Sequence, residues 1–243
     1  MSQIVFHGCS FTWGSGLQYY YLKENLGYSI KDLQKLTTDK VRLEDFPRKV
    51  DDYRKKHHFP NLVSEHFGVT YTMALEDNGG DNHLIVDNFQ NAKNYHHNNT
   101  QLHIVQLSAP MRGPNSPILQ GKLPKIGTII KYQVEEVIEA NKYRCNGGVQ
   151  TPLYFLCWFK EHADYIKENY PDKLIPILCK NLEFTYFENL VNQQMKEIKE
   201  EKLSIYDDIG VSDKHFSKIG HRMIADSIIK KISEDIKFKL IKI

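Results

Sequence analysis

The chain has 243 residues, 41% hydrophobic and 12% aromatic, which is enough to bury a substantial core in one α/β domain with insertions. Its 32 Lys and Arg residues nearly balance 30 Asp and Glu residues, and the net charge of +2 gives no electrostatic case for a nucleic-acid or anionic-membrane partner. These values favour a small-molecule or glycan substrate.

We expect neither an export signal nor a membrane span. Its first apolar run, residues 4–6, is shorter than the about 7 residues that a signal peptide needs. No apolar run reaches the about 18 residues typical of a transmembrane helix. The cysteines form no CxxC pair, which argues against a zinc ribbon or a disulfide scaffold. We expect free thiols and a reducing cytoplasm, or a protein released from one by lysis. We also expect no metal and no cofactor. They are Cys9, Cys145, Cys157 and Cys179.

The first element is predicted to be a strand over residues 4–6, followed by a tight turn at Gly8-Cys9-Ser10 and then a helix. A serine at the end of a buried strand and just before a helix lies where backbone N–H groups favour anions. Ser10 is therefore a candidate nucleophile. The alternative is an ordinary β-to-α turn, in which Gly and Ser are common.

The next predicted helix covers residues 17–26 and ends at Gly27, because its leucines share a face and glycine follows. Residues 29–58 are highly charged and have few apolar positions. We predict that they form a solvated insertion that ends in a solvent-exposed basic cluster at residues 54–58. The alternative for this cluster is a contact with a polyanion.

A second α-to-β unit follows. Residues 60–68 predict a short helix closed by glycine, and residues 69–74 predict a strand. A polar loop at 77–82 then leads into another helix, for which Asp81 or Asn82 is the expected N-cap.

Residues 102–107 predict the clearest internal strand, which ends at Ser108. Sites gather at this carboxyl edge in open α/β sheets. Arg112 follows four residues after Ser108, and its guanidinium is a candidate for binding an anionic or sugar substrate. The alternative for Arg112 is an ordinary surface residue.

Residues 113–148 contain several prolines and glycines around a β-prone run at 128–134. We predict that these residues form an insertion over the site, and a lid is one form that such an insertion takes. A periodic helix is predicted from Thr151 through Ile166, and a short edge strand at 174–179.

The remaining elements are a helix at about 184–200, a weak strand at 203–206 and a final helix after residue 215. Because β and α segments alternate along the chain, we predict a central, mostly parallel sheet with helices on both faces, in a flavodoxin-like three-layer sandwich.

The loop before the final helix carries an acid and a histidine, Asp213 and His215. With a serine near one end of the chain and this pair near the other, the sequence resembles the SGNH (GDSL-type) hydrolase family. The first family block, Gly-Asp-Ser, matches Gly8-Cys9-Ser10. The last block, Asp-x-x-His-Pro-x-x-x-Gly-His, is matched at His215 and Gly220, with Phe216 in the place of proline.

The third family block, Gly-x-Asn-Asp, has no counterpart here. Ser108 and Arg112 instead resemble the variant seen in phage and related bacterial proteins. This resemblance implies that Gly80, or Gly79 beside it, donates its N–H to an oxyanion, and that Ser108 or Asn82 replaces the missing asparagine. Asn82 has the helix N-cap as its alternative role.

The resemblance implies that Ser10 is the nucleophile, His215 its base and Asp213 the acid that orients His215. Family spacing would put the acid at Ser212, one position earlier. The alternative is a Ser-His dyad in which a backbone carbonyl orients His215.

The implied function is a serine esterase that acts on a small-molecule or glycan ester, with O-acetyl groups on a glycan as the named example. Two alternatives remain open: a catalytically weak or inactive glycan-binding protein of the same fold, and a phosphate-binding flavodoxin-like module. The expected location is the cytoplasm, or the virion if a phage encodes the chain. The sequence predicts no oligomeric state.

Overall fold

The computed structural model describes residues 2–38, 48–74, 81–91, 99–110, 112, 125–144, 150–176, 215–239 and 243. Within these ranges the strands are β1 (Gln3–His7), β2 (Thr70–Met73), β3 (Thr100–Leu107) and β4 (Leu153–Cys157). The helices are α1 (Ser10–Trp13), α2 (Leu17–Leu26), α3 (Ile30–Thr38), α4 (Arg48–His57), α5 (Phe59–Phe67), α6 (Asn82–Asn91), α7 (Ile126–Arg144), α8 (Lys160–Asn169) and α9 (Lys218–Lys237).

The four described strands form one parallel sheet in the order β2-β1-β3-β4. Val5 in β1 pairs with Thr72 on one side and with His103 on the other. The chain therefore moves outward in one direction to β2 and then in the other to β3 and β4. In such sheets a crevice opens between the strands where the direction reverses, here beyond the carboxyl ends of β1 and β3.

Helices cover both faces of the sheet. Alternate strand residues such as Phe6 and Ile104 pack with α5 and α9, whereas Val105 and Phe155 pack with α6, α7 and α8 on the opposite face. Because both faces are covered, every residue of β1 and β4 is buried. The α/β sandwich predicted from the alternation of strands and helices is confirmed.

Several predicted boundaries are confirmed by the helix ends. Gly27 ends α2 and Gly68 ends α5, each with the positive φ that glycine adopts without strain, 69° and 66°. The Asp81 carboxylate accepts a hydrogen bond of 2.9 Å from the N–H of Leu84, so Asp81 and not Asn82 is the N-cap of α6.

The prediction that residues 29–58 form a solvated insertion is wrong for its apolar positions and for Arg54. Leu33 on α3 and Val50 on α4 are fully buried and pack against Tyr19 and Leu22 of α2. The few apolar residues of α3 and α4 lie at helical spacing, so each helix has a narrow apolar face that packs against α2.

The prediction that the β-prone run at 128–134 belongs to an insertion is also wrong, because this run lies inside α7. Ile130, Val134, Val137 and Ile138 form a buried stripe on the sheet. Residues 126–144 thus form the crossover helix between β3 and β4, and tertiary packing overrides the low helix propensity of β-branched residues. Residues 113–124 and 145–149 of the predicted insertion lie outside the described residues.

The helix predicted from Thr151 is wrong in its first part. Residues 153–157 form β4, and α8 begins only at Lys160. The predicted strand at 174–179 is described only at its start, where Leu174 forms a parallel bridge with Phe155. The helix predicted at 184–200 and the strand predicted at 203–206 lie outside the described residues.

Candidate active site

The side chains of Ser10 and His215 meet at the carboxyl end of β1. His215 Nε2 lies 3.0 Å from Ser10 Oγ, within hydrogen-bond distance, although 205 positions separate the two residues. Ser10 is the first residue of α1 and is 3% exposed, and His215 is partly buried. A neutral imidazole in this place can accept the hydroxyl proton of serine, which is the geometry of an activated nucleophile.

The turn that carries Ser10 is tightly packed. Thr12 Oγ1 donates to the side-chain oxygen of Gln106 in β3, and Gln106 Nε2 donates to Cys9 Sγ at 3.3 Å. A Cβ on Gly8 would lie 2.7 Å from Thr12 Cβ, closer than carbon atoms approach. Only glycine therefore fits position 8 as this turn is built.

Phe216 fixes the loop that carries His215. It is 2% exposed, and its ring lies 4.8 Å from Phe11 and 4.6 Å from Trp158, between ring centroids. The next residue, Ser217, caps α9 by accepting a 2.9 Å hydrogen bond from Gly220 N. An aromatic side chain here supplies by packing the rigidity that proline would give through its ring.

His215 also lies against the residue after the nucleophile. Its ring centroid is 4.9 Å from that of Phe11. Phe11 thus forms one wall of the site and restricts the rotation of the imidazole. Asp213, Ser212, Gly79 and Gly80 lie outside the described residues, so the orienting acid and the glycine oxyanion donor stay predictions.

Asn82 connects α6 to the end of β3. Its amide nitrogen donates to the carbonyl oxygens of Ser108 (2.9 Å) and Ala109 (3.2 Å) and to Gln133 Oε1 (3.1 Å), while its oxygen accepts from Ser108 N at 2.6 Å. An amide that binds an oxyanion would have to release one of these acceptors. The oxyanion role of Asn82 stays a prediction. The observed contacts show that Asn82 links α6 to the end of β3.

Ser108 and Arg112 contact each other, as Arg112 Nη1 donates to Ser108 Oγ at 3.2 Å. Arg112 is exposed and lies at a cavity of about 330 Å³ between α6 and α7, whose apolar wall includes Val86 and Ile129. Tyr132, 53% exposed, adds an aromatic surface to it. This volume is in the usual range for small-ligand pockets.

Sequence reasoning missed the residues of α4 that surround the site. Arg54 is 3% exposed and lies over the Trp13 ring, and Tyr53 contacts Lys218 at the start of α9. Arg54 appeared in the sequence only as part of a basic run. The one available signal was that helical spacing places Val50 and Arg54 on the same face.

Three buried histidines outside the pair with Ser10 have pKa values lowered by burial. Burial lowers the pKa of His58 to about 3, and burial lowers that of His162 to about 3. His221, fully buried behind Phe216, has its pKa lowered chiefly by burial. Burial disfavours the charged form, so these imidazoles are neutral at pH 7.

Among the residues that the structure describes, no group of three or more His, Cys, Asp or Glu side chains is placed to hold a metal ion. Likewise, no helix in the described ranges has the length and apolar character to cross a bilayer.

No protein-family model matches the chain, and no curated protein matches it significantly. A solved structure of a member of the lipolytic protein G-D-S-L family from Veillonella parvula aligns with 95% of this chain and 97% of its own, at 11% identity and a TM-score of 0.46. A TM-score below 0.5 is too low for an inference about function, which therefore depends on the site itself.

Proposed function

We propose that the chain is a serine hydrolase that cleaves carboxylic esters through Ser10 and His215. The observation that carries the proposal is the 3.0 Å contact between His215 Nε2 and Ser10 Oγ at the carboxyl edge of a parallel sheet. The motif resemblance at Gly8-Cys9-Ser10 and Gly220 supports the same assignment.

In the first half-reaction, His215 Nε2 takes the hydroxyl proton as Ser10 Oγ attacks the ester carbonyl. The negative charge forms on the carbonyl oxygen, for which the backbone N–H of Ser10 and of Gly80 are the proposed donors. His215 then gives its proton to the departing alcohol, and the acyl group remains on Ser10. Water, deprotonated by His215, attacks this acyl-enzyme and releases the acid, which regenerates both side chains.

For the proton to be received at Nε2, the neutral imidazole of His215 must carry its other proton on Nδ1. We propose Asp213 as the acceptor for that proton, with a backbone carbonyl as the alternative. Asp213→Asn distinguishes the two alternatives, because this substitution should reduce turnover only if the Asp213 carboxylate orients His215. Loss of such an acid reduced turnover about 10⁴-fold in the serine-protease triad.

We propose an O-acetylated glycan as the natural ester, and the cavity at Arg112 as the place where the rest of the substrate binds. The cavity supports this because it combines a cation with an aromatic surface, Tyr132. Release of acetate from acetylated sugars, compared with p-nitrophenyl acetate, tests the substrate class separately from the chemistry.

The deciding experiment treats the wild type and Ser10→Ala with a short p-nitrophenyl ester and a fluorophosphonate probe. We expect hydrolysis and covalent labelling by the wild type and neither by Ser10→Ala. Ser233→Ala, at an exposed serine of α9, is the matched control and should behave as the wild type. A folded wild type that neither labels nor hydrolyses would overturn the proposal in favour of an inactive binding protein.

A further inference from the structure

Two adjacent residues of α4 contact the two halves of the site from one side. Arg54 contacts Trp13, the last residue of the short helix α1 that begins with Ser10. Tyr53 contacts Lys218, three positions after His215. The helix α4 therefore touches both the helix that begins with the nucleophile and the start of the helix that follows the loop of its base.

The Arg54 contact is specific and buried. The guanidinium carbon lies 3.6 Å from the centroid of the Trp13 ring, and Nη1 donates to the Trp13 carbonyl oxygen. Asp51 Oδ1 accepts from Arg54 Nε at 3.0 Å and from Nη2 at 2.6 Å, which pairs the charge. A single helical turn such as α1 is unstable alone, so this contact at its last carbonyl holds it in place.

The Tyr53 contact is part of a three-membered network. Its hydroxyl donates to Glu24 Oε2 at 2.6 Å and accepts from Lys218 Nζ at 2.8 Å, and Lys218 Nζ lies 3.0 Å from Glu24 Oε1. Burial and the bond to Glu24 raise the pKa of Tyr53 to about 12, so the phenol keeps its proton at neutral pH. A lysine in the first turn of a helix opposes the helix dipole, and this network stabilises it there.

We propose that α4 sets the distance between Ser10 and His215, with Tyr53 and Arg54 as positioning residues. This inference rests on the proposed function. Neither side chain needs to touch the substrate, because each acts through a residue that carries the site. A misplacement of about 1 Å between reacting groups can reduce a rate about 100-fold. Because α4 contacts both α1 and the start of α9, a change in either contact should alter the rate.

The test compares fluorophosphonate labelling of the wild type, Tyr53→Phe, Lys218→Met and the double variant. We expect the maximal labelling rate of each variant to fall about 10-fold to 100-fold, with the concentration for half-maximal rate unchanged within about twofold. The double variant should be no slower than the slower single variant, because both substitutions break the same contact. Lys56→Met, on the exposed side of α4, is the control and should label as the wild type.

Arg54→Lys provides a readout that does not depend on labelling. It keeps the charge but loses the paired bonds to Asp51 and the stacking on Trp13. We expect faster hydrogen exchange at Trp13, Gly14 and Ser15, whose amides bond to Cys9 and Ser10 carbonyls, with unchanged exchange in the sheet.

Folded variants that label at the wild-type rate, or an Arg54→Lys protein with unchanged exchange in α1, would overturn the positioning role while leaving the esterase proposal intact. A wild type that does not label would instead refute the esterase proposal, and with it the kinetic role of α4.

Discussion

The side-chain amide of Asn82 and the backbone of Ser108 bond in both directions, N–H to Oδ1 at 2.6 Å and Nδ2 to O at 2.9 Å. The side-chain amide thereby forms the pair of hydrogen bonds that the backbone of a neighbouring strand would form, and it attaches α6 to the end of β3. This relationship holds Ser108 at the edge of the site.

Replacing Asn82 by alanine should therefore reduce stability. Asn82→Ala leaves the buried N–H of Ser108 without its partner, and we expect the free energy of unfolding to fall by about 2 to 3 kcal/mol. Urea denaturation measures this value. Asn88→Ala, which removes an exposed amide bonded to the Leu84 carbonyl, should change it by less than about 1 kcal/mol. Equal effects at the two sites would contradict the structural role.

His215→Gln should lower kcat for a p-nitrophenyl ester by about 10²-fold to 10⁴-fold, because the amide cannot take the Ser10 proton. KM should change little, since the imidazole binds the hydroxyl and not the leaving group. His66→Gln, at an exposed histidine of α5 that lies outside the Arg112 cavity, is the control. Retention of full activity in His215→Gln would mean that another group serves as the base.

Arg112→Gln should raise KM for esters that carry a carboxylate, without raising it for neutral esters of the same size. Arg112 lines the cavity, and its guanidinium is able to pair with an anion there. We expect about a 10-fold effect, as for one charge-assisted hydrogen bond. The kinetics of matched succinate and butyrate esters measure it, and a uniform rise for both would assign Arg112 a structural role through Ser108.

Gly8→Ala should disrupt the turn that carries Ser10, since the added Cβ meets the Thr12 side chain and comes within 3.0 Å of Gln106 Oε1. We expect a loss of about 1 to 3 kcal/mol in stability and a larger loss of labelling at Ser10. Gly127→Ala is the matched control, because a Cβ there meets no atom within 4 Å and alanine favours the helix. Normal labelling of Gly8→Ala would show that the turn relaxes without cost.

Acidification should destabilise the fold through its buried histidines. The pKa of His162 is about 3 in the folded chain and about 6.5 when unfolded, so only the unfolded chain binds the proton between these values. Stability therefore falls as the pH decreases below about 6.5, by about 2 kcal/mol per such histidine at pH 5. Between pH 7.5 and pH 5, the free energy of unfolding of His162→Gln, measured in urea titrations, should fall by about 2 kcal/mol less than that of the wild type. An equal fall in both proteins would show that His162 is accessible to protons in the folded chain.

The elements with local end signals were predictable. Gly27, Gly68 and the strand before Gly8 mark their boundaries with residues whose backbone preferences act within a few positions. The motif order also led to Ser10 and His215, which the structure brings together.

The errors occurred where distant contacts decide the structure. β4 is apolar at every position because helices cover both faces, and such a run has no period that separates it from a buried helix. Residues 128–134 combine β-branched side chains with helical spacing, and only the sheet beneath α7 selects the helix. Arg54 contacts Trp13, 41 positions away, so the only local signal of its burial is the helical spacing that places it on the same face as Val50.

The separation of 205 positions between Ser10 and His215 has a consequence during biosynthesis. At translation rates of about 5 to 20 residues per second, the serine leaves the ribosomal tunnel about 10 to 40 s before its histidine does. Throughout that interval Ser10 is outside the tunnel without His215 beside it. The growing polypeptide therefore lacks the pair on which the esterase proposal depends until α9 has been made and has packed on the sheet.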